Sequence, residues 1–383
     1  MESFSYYNPT KIEFGINKEK DIGKHLKDNN IKKVLLQYGM GSIKKNKLYD
    51  TVVASLNQHN IEFYELGGIV SNPVLSKINE GIDIVKSKNI EAMLCVGGGS
   101  VVDSGKAIAT GALYDKDVWD FFIGKAKIQK ALPVYTIMTL AATASEMNGN
   151  AVVTNETTQQ KYAISSVLLN PVISIINPKL MSSISNDYLA YSAVDIIAHV
   201  IEVYFTASYH PNISARFVES IIKTVMETTE ILLENPDDTD ARGEFAWAAI
   251  QALNGLTPAG TKGGIFPNHM IEHSLSALYN IPHGAGLSIM IPAWMKWYKS
   301  QNEKQFQRFA KEIFHSQNSD DTINKLQNWF EKIKAPTTLE QGNIPSSAID
   351  DIAINANETA KLWKLDDIYT VKTIKTILNN ASN

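Results

Sequence analysis

In the first half of the chain, short apolar and β-branched runs alternate with stretches of helical periodicity. KVLLQYGMGS (33–42), IEFYELGG (61–68), IEAMLCVGGGS (90–100) and LPVYTIMT (132–139) each close on glycine or a turn. Between them, VLSKINEGIDIVKSK (74–88) repeats its apolar positions at helical spacing. Buried strands separated by amphipathic helices are the pattern of a parallel α/β sheet. AVVTN (151–155), YAISS (162–166) and VISIIN (172–177) follow without long helices between them, which predicts antiparallel or peripheral strands at the end of that sheet.

From Asn177-Pro178 onward the strand runs disappear and a 3.6-residue period takes over. DYLAYSAVDIIAHVIEVYFTA, SARFVESIIKTVMETTEILLE and QRFAKEIFHS each read as an amphipathic helix, so the second half is predicted to be all-α. With 383 residues the chain exceeds what one core usually organises. Two domains follow: residues 1–182 as an α/β Rossmann-like unit and residues 183–383 as a helical unit. SQNSDD (316–321) and KAPTTLEQGNIPSS (334–347) are predicted loops.

Composition narrows the partners. With 44% hydrophobic and 20% charged residues and a net charge of -4, nothing favours nucleic acid or an anionic membrane. The start, MESFSYYNPTKIEFG, lacks a basic segment followed by an apolar core, and no later stretch approaches the ~18 uncharged apolar residues a membrane span requires, so a cytoplasmic protein is expected. The single cysteine, Cys95, rules out an intrachain disulfide and a cysteine-rich zinc site; in AMLCVGGG it is expected to be a packed, inert thiol.

Two glycine turns carry the first candidate chemistry. VGGGSVVDSGK turns on Gly97, Gly98 and Gly99 and enters a helix at about Ser100, which would point bare backbone N–H groups and a positive helix end at one spot. That suits a pyrophosphate, although three glycines also make an ordinary tight turn. The earlier turn offers Gly39, Gly41, Ser42, Lys44 and Lys45, with no acid before Asp50. NAD sites usually place an acid on the ribose 2′-hydroxyl, so this turn tilts the expectation towards NADP(H) over NAD(H); a solvated basic loop is the bland alternative.

The histidines carry the second. Asp195 and His199 stand four apart in DIIAH, and HMIEHSLSALYNIPHG holds His269, His273 and His283. Residues four apart share a helix face, yet Asp-x-x-x-His alone says little more than that. A second histidine-rich segment changes the balance. One carboxylate and three imidazoles would hold one divalent cation, Fe²⁺ or Zn²⁺, in a catalytic site with an open position.

Taken together, GGGSVVDSGKAIA (97–109), TLAATASEMNGNAVVTN (139–155), NPKLMSSISNDYLAYSAVDIIAHVIEVY (177–204), WAAIQALNG (247–255) and HMIEHSLSALYNIPHG (269–284) resemble the iron-containing alcohol dehydrogenases, in the branch of butanol dehydrogenases and broad aldehyde reductases. The resemblance spans essentially the whole chain. It implies metal ligands at Asp195, His199, His269 and His283, with His273 beside the metal as a candidate proton relay. It implies Gly97, Gly98, Gly99 and Ser100 at the pyrophosphate, Asp103, Thr139, Thr143 and Lys161 along the nucleotide and nicotinamide cleft, and Asn72 at its edge. An active site between the two domains and a homodimer are further implications. Ala193 and Ser276 stand where the family often has glycine.

The expected activity is reversible hydride transfer between a nicotinamide and a short-chain aldehyde or primary alcohol. Three rivals remain at this level. A glycerol or other polyol dehydrogenase would share the fold, and a phosphate-bearing substrate would need cations near the metal, with Lys262 the one at hand. A metal-dependent hydrolase would leave the glycine turns unused. A nucleotide-sensing, metal-binding protein without catalysis would bind cofactor and turn nothing over.

Overall fold

The computed structural model describes residues 1–382 and divides the chain into two compact units. One comprises Tyr7–Ser183; the other comprises Ile184 onward together with Met1–Tyr6. The first six residues therefore depart from the expected 1–182 unit. Their backbone and terminus are satisfied elsewhere: the Met1 amino group donates to the Tyr209 hydroxyl at 3.0 Å, and the Glu2 N–H donates to the Gly260 carbonyl at 3.1 Å.

The first unit is built on strands β1 (Lys11–Phe14), β2 (Lys33–Tyr38), β3 (Glu62–Leu66), β4 (Ala92–Gly97), β5 (Val134–Met138), β6 (Asn150–Asn155), β7 (Gln160–Ser165) and β8 (Ile173–Ile176). Its helices are α1 (Ile22–Asp28), α2 (Ser42–Lys45), α3 (Leu48–Gln58), α4 (Leu75–Lys88), α5 (Gly99–Gly111) and α6 (Trp119–Phe122). Six strands form one sheet in the order β1-β8-β5-β4-β2-β3, every pairing parallel. β4 and β5 are buried along their whole length, as strands covered on both faces must be.

The end of the sheet corrects the sequence reading in part. β6 and β7 pair antiparallel in a sheet of their own, but β8 is neither antiparallel nor peripheral: it lies inside the main sheet, parallel to both β1 and β5. The crossover from β5 to β8 consists of the β6–β7 hairpin and short 3-10 turns. It therefore lacks the long helix by which such crossovers are usually recognised. The short edge strand β1 supplies β8's other neighbour and was not foreseen.

The second unit contains α7 (Asn186–Thr206), α8 (Asn212–Glu234), α9 (Thr239–Ala252), α10 (Pro267–Tyr279), α11 (His283–Tyr298), α12 (Glu303–Phe314), α13 (Ser319–Lys332), α14 (Ile349–Leu362) and α15 (Val371–Asn379). α7 starts cleanly because the Ser185 side chain accepts from the Tyr188 N–H. By length and hydropathy α7 alone among the described helices passes for a membrane span, yet Leu189, Ala190 and nearly every residue from Ser192 to Phe205 are buried. It is the core helix of this unit, packed against α8, α9, α10 and α11. Asp195 and His199 thus sit at the centre of a helical core, where polar side chains need partners.

Candidate active site

β2 and β4 are neighbours in the sheet, and Tyr38 stands opposite Val96, so the turns that follow the two strands lie level. The chain winds outward from β2 to β3, returns to β4 beside β2, and continues to β5 on the other side. That reversal is a topological switch point, where α/β sheets bind ligands at the carboxyl ends of their strands. Gly39, Gly41 and Ser42 follow β2; Gly97 ends β4, and Gly98, Gly99 and Ser100 follow it. The structure therefore brings both predicted glycine turns to one crevice.

The second turn is shaped by close approach. A Cβ on Gly99 would stand 2.3 Å from the Thr143 Oγ1, so only glycine lets the start of α5 come this near the loop after β5. Thr139 is tied to the same place, its N–H donating to the Gly97 carbonyl at 3.0 Å. Asn72 and Lys161, far apart in sequence, also meet: the Lys161 Nζ donates to the Asn72 Oδ1 at 3.0 Å.

Beneath the loop lies a buried polar knot. The Asp103 carboxylate accepts from the Ser145 hydroxyl at 2.6 Å and the Val152 N–H at 3.0 Å. Lys106, fully buried, donates to the Ser145 and Asn148 carbonyls and to Asn150 O, at 2.6, 2.8 and 2.8 Å. Burial lowers its ammonium to about 8 against the pull of Asp103 and Glu146. Asp103 thus fastens α5 to the loop. Cys95 in β4 is buried and its thiol is pushed up to about 12 by that burial, the inert state expected.

Near the first turn the structure adds an acid that the sequence reading missed. Glu65, from the end of β3, sits 3.0 Å from the Lys44 Nζ and accepts from the Tyr38 and Tyr49 hydroxyls at 2.7 and 2.5 Å. The Lys44 ammonium also lies over both tyrosine rings. An acid opposite a turn across neighbouring strands leaves no trace in local sequence spacing.

In the helical unit the four-residue spacing puts Asp195 and His199 on one face of α7. α10 brings His269, and α11 begins at His283 directly after Pro282, which cannot extend α10. The Nε2 atoms of His199, His269 and His283 lie 3.5, 3.7 and 3.6 Å from a single atom, Asp195 Oδ1. These separations are too long for hydrogen bonds. Donors sharing one tetrahedral ion at bonds of ~2.1 Å would stand about 3.4 Å apart. Asp195 Oδ1 and His269 Nε2 are buried without any hydrogen-bond partner, and Asp195, His199 and His269 can together hold one metal ion. The donor set fits a divalent cation.

Two further carboxylates complete the arrangement. The Nδ1 of His269 bonds Glu202, and the Nδ1 of His283 bonds Glu272; both glutamates are fully buried. Fixing Nδ1 on a carboxylate turns Nε2 towards the centre, the usual buttress of metal-bound imidazoles. Neither glutamate was anticipated. The available signal was that Glu202 lies seven residues after Asp195, and Glu272 three after His269, on the faces that carry the ligands.

The electrostatics agree. Burial alone would raise the Asp195 carboxyl, but the imidazoles, His199 foremost, hold it well below the usual carboxylate range. Burial lowers His199 to about 4. Burial also works against charge on His269, yet Glu202 and Asp195 outweigh it and push its pKa up to about 10. A proton on His269 balances the carboxylates; a divalent ion would take that proton's place. His273 is buried beside the cluster, its ring 5.9 Å from that of His283 and 6.0 Å from Trp363. Lys262 is exposed.

A switch-point crevice in one unit and a carboxylate-imidazole centre in the other define a class of nucleotide-dependent metalloenzyme. Residues 9–178 match the profile of the iron-containing alcohol dehydrogenases, and residues 189–382 that of the Fe-containing alcohol dehydrogenase family, C-terminal. The chain belongs to the iron-containing alcohol dehydrogenase family. It is 35% identical over 371 residues, 94% of either chain, to the NADH-dependent butanol dehydrogenase B of Clostridium acetobutylicum. It is 31% identical to the NADPH-dependent aldehyde reductase YqhD of Escherichia coli, covering 91% of either chain. The crystal structure of the NADH-dependent butanol dehydrogenase A of Thermotoga maritima superposes with a TM-score of 0.98 at 47% identity, covering 100% of this chain and 99% of that one. The protein is therefore an alcohol dehydrogenase, of a family that pairs a divalent metal with a nicotinamide cofactor.

Proposed function

We propose that the protein interconverts short-chain aldehydes and primary alcohols, with Asp195, His199, His269 and His283 as the metal ligands. The observation that carries this reading is the ring of three imidazole nitrogens 3.5–3.7 Å from one orphaned carboxylate oxygen. Relatives named as a butanol dehydrogenase and an aldehyde reductase support the substrate class. When bound, the metal polarises a carbonyl oxygen and the reduced nicotinamide supplies hydride.

This chain's residues do the rest. Glu202 and Glu272 orient two of the imidazoles. Gly97, Gly98, Gly99 and Ser100 offer backbone N–H groups and a helix start to the pyrophosphate. Asp103 and Lys106 hold the segment from Ser145 to Val152 against α5, the Thr139 N–H ties the loop after β5 to Gly97, and Lys161 with Asn72 forms a polar pair for the nucleotide. His273 relays the proton that the product alcohol gains. His273→Ala is expected to lower turnover about 10²-fold or more while leaving the metal content of the purified protein unchanged; loss of metal would make it a ligand instead.

For the dinucleotide, Lys45 keeps the turn after β2 hospitable to a 2′-phosphate, while Glu65 offsets Lys44. NADP(H) is the preferred cofactor in this reading, with NAD(H) accepted. The functional assembly is a homodimer, to be checked by light scattering. The deciding experiment follows nicotinamide absorbance with Fe²⁺- or Zn²⁺-reconstituted protein, NADPH or NADH, and a panel of short aldehydes. Oxidation of either cofactor is expected; none with any aldehyde would overturn the reading.

A further inference from the structure

Three backbone carbonyls converge on one buried amine. The Lys106 Nζ donates to the carbonyls of Ser145, Asn148 and Asn150 at 2.6, 2.8 and 2.8 Å, and the Ser145 Oγ and Asn148 Oδ1 lie 2.8 and 3.3 Å from the same atom. An ammonium carries three N–H donors and a neutral amine only two, so each carbonyl has its own donor only while Lys106 is charged. The titratable groups that face it are Asp103 on its own helix, Glu146 in the loop after β5 and Cys95 in β4; Lys161 in β7 adds its charge near Asp103. Burial brings the ammonium down to about 8 against the pull of the two acids, so the third donor is lost as pH rises through that value.

The gathered segment is continuous with the loop that meets the second glycine turn. Ala144 lies there at φ +49°, a left-handed backbone that a residue with a Cβ adopts only where its surroundings impose it. Its carbonyl accepts from the Met147 N–H and the Asn148 side chain, both at 2.8 Å, and Asn148 also donates to the Thr143 carbonyl at 3.2 Å. The Ser145 N–H donates to the Thr143 Oγ1 at 3.2 Å. The residues tied to Lys106 thus set the place of Thr143, the side chain against which Gly99 can carry no Cβ.

We propose that Lys106 is a positioning residue for the dinucleotide: its charged ammonium keeps the Ala144 turn wound and so holds Thr143 at Gly99, where the pyrophosphate is bound. Fully buried, it acts through Ser145, Asn148 and Thr143. When the amine is neutral one carbonyl loses its donor, the strained turn relaxes, and the glycine turn loses the wall beside it. Dinucleotide affinity therefore falls as pH rises past the point where Lys106 gives up its proton, and binding above that pH takes a proton from solvent. This inference rests on the reading of the glycine turns as the pyrophosphate site.

The test titrates full-length protein with NADPH, and in parallel with NADH, in the absence of any aldehyde, reading the fluorescence of the dinucleotide from pH 7.5 to 9.5. The wild-type Kd is expected to rise about 10-fold across that range, the worth of one hydrogen bond to a charged group. Lys106→Met, which keeps the length of the side chain and removes its charge, is expected to bind at the weakened level throughout, with no dependence on pH. Ala144→Gly removes the strain of the left-handed turn and is expected to shrink the wild-type rise. A flat wild-type profile, wild-type affinity in Lys106→Met, or a rise in Lys106→Met equal to that of wild type would overturn the proposal. Should Lys106→Met fail to fold, an undiminished rise in Ala144→Gly overturns it alone. Failure of the wild-type protein to bind either dinucleotide at pH 7.5 would overturn the pyrophosphate reading and the proposal together, a result distinct from tight binding with a flat profile.

Discussion

Glu146 is sealed inside the first unit, and neither carboxylate oxygen meets a well-aligned donor. Burial raises its pKa to about 7, with its own amide and Lys106 offsetting only part of the shift. A group whose folded pKa lies above its unfolded value of 4.5 binds more protons when folded. Stability is therefore fully present below about pH 4.5 and declines as pH rises towards 7, by about 3 kcal/mol at most. Glu146→Gln is expected to flatten that decline in urea unfolding measured from pH 5 to 8, and a slope equal to wild type would contradict it. At this scale the sequence singled out Asp195, His199, His269 and His283 as a set only through the second histidine-rich segment and the family resemblance, since Asp-x-x-x-His alone says little. It did not disclose Glu202, Glu272 or Glu65, whose roles come from what stands across from them and not from what stands beside them in the chain.

At the scale of elements, α11 must come very close to α7 for His283 to reach Asp195. A Cβ on Gly284 would stand 2.0 Å from the Tyr191 carbonyl oxygen, an approach only glycine permits. Gly284→Ala is expected to push the first turn of α11 outward, at about 1–3 kcal/mol of stability. The measurable result is a lower Tm together with weaker Co²⁺ binding in an apo titration; a lower Tm with unchanged binding would mean the displacement spares His283. Alternation of strand and helix made the sheet legible from β2 to β5, and the 3.6-residue period made the helical unit so. What escaped was β8, because its crossover contains a hairpin, and β1, because four residues with partly exposed edges carry little pattern.

For the whole molecule, each ligand type has its residues in one unit: the glycine turns in Tyr7–Ser183, the carboxylate and imidazoles after Ile184. Ligands that bind only the folded state stabilise by mass action, about 2.7 kcal/mol at a hundredfold excess over Kd. Calorimetry of the apo protein is expected to show a raised Tm with Co²⁺ and, separately, with NADPH. Asp195→Ala is expected to abolish the first shift and retain the second; loss of both would mean that the substitution damages more than the ion site. The division at Ser183, with its change from strand runs to helical period, is legible in the chain. The return of Met1–Tyr6 to the helical unit is not, since its contacts to Tyr209, Gly255 and Gly260 lie 208 residues or more away in the chain.

The order of these residues along the chain also sets a schedule for biosynthesis. Roughly 100 residues separate the end of the glycine-turn unit at Ser183 from His283, which at ~5–20 residues per second is on the order of 5–20 s of translation. Under the proposed assignment a nascent chain would complete its glycine turns before its imidazole set, and full-length chains made without metal would still carry those turns. Such chains would withdraw reduced cofactor from circulation without turning it over.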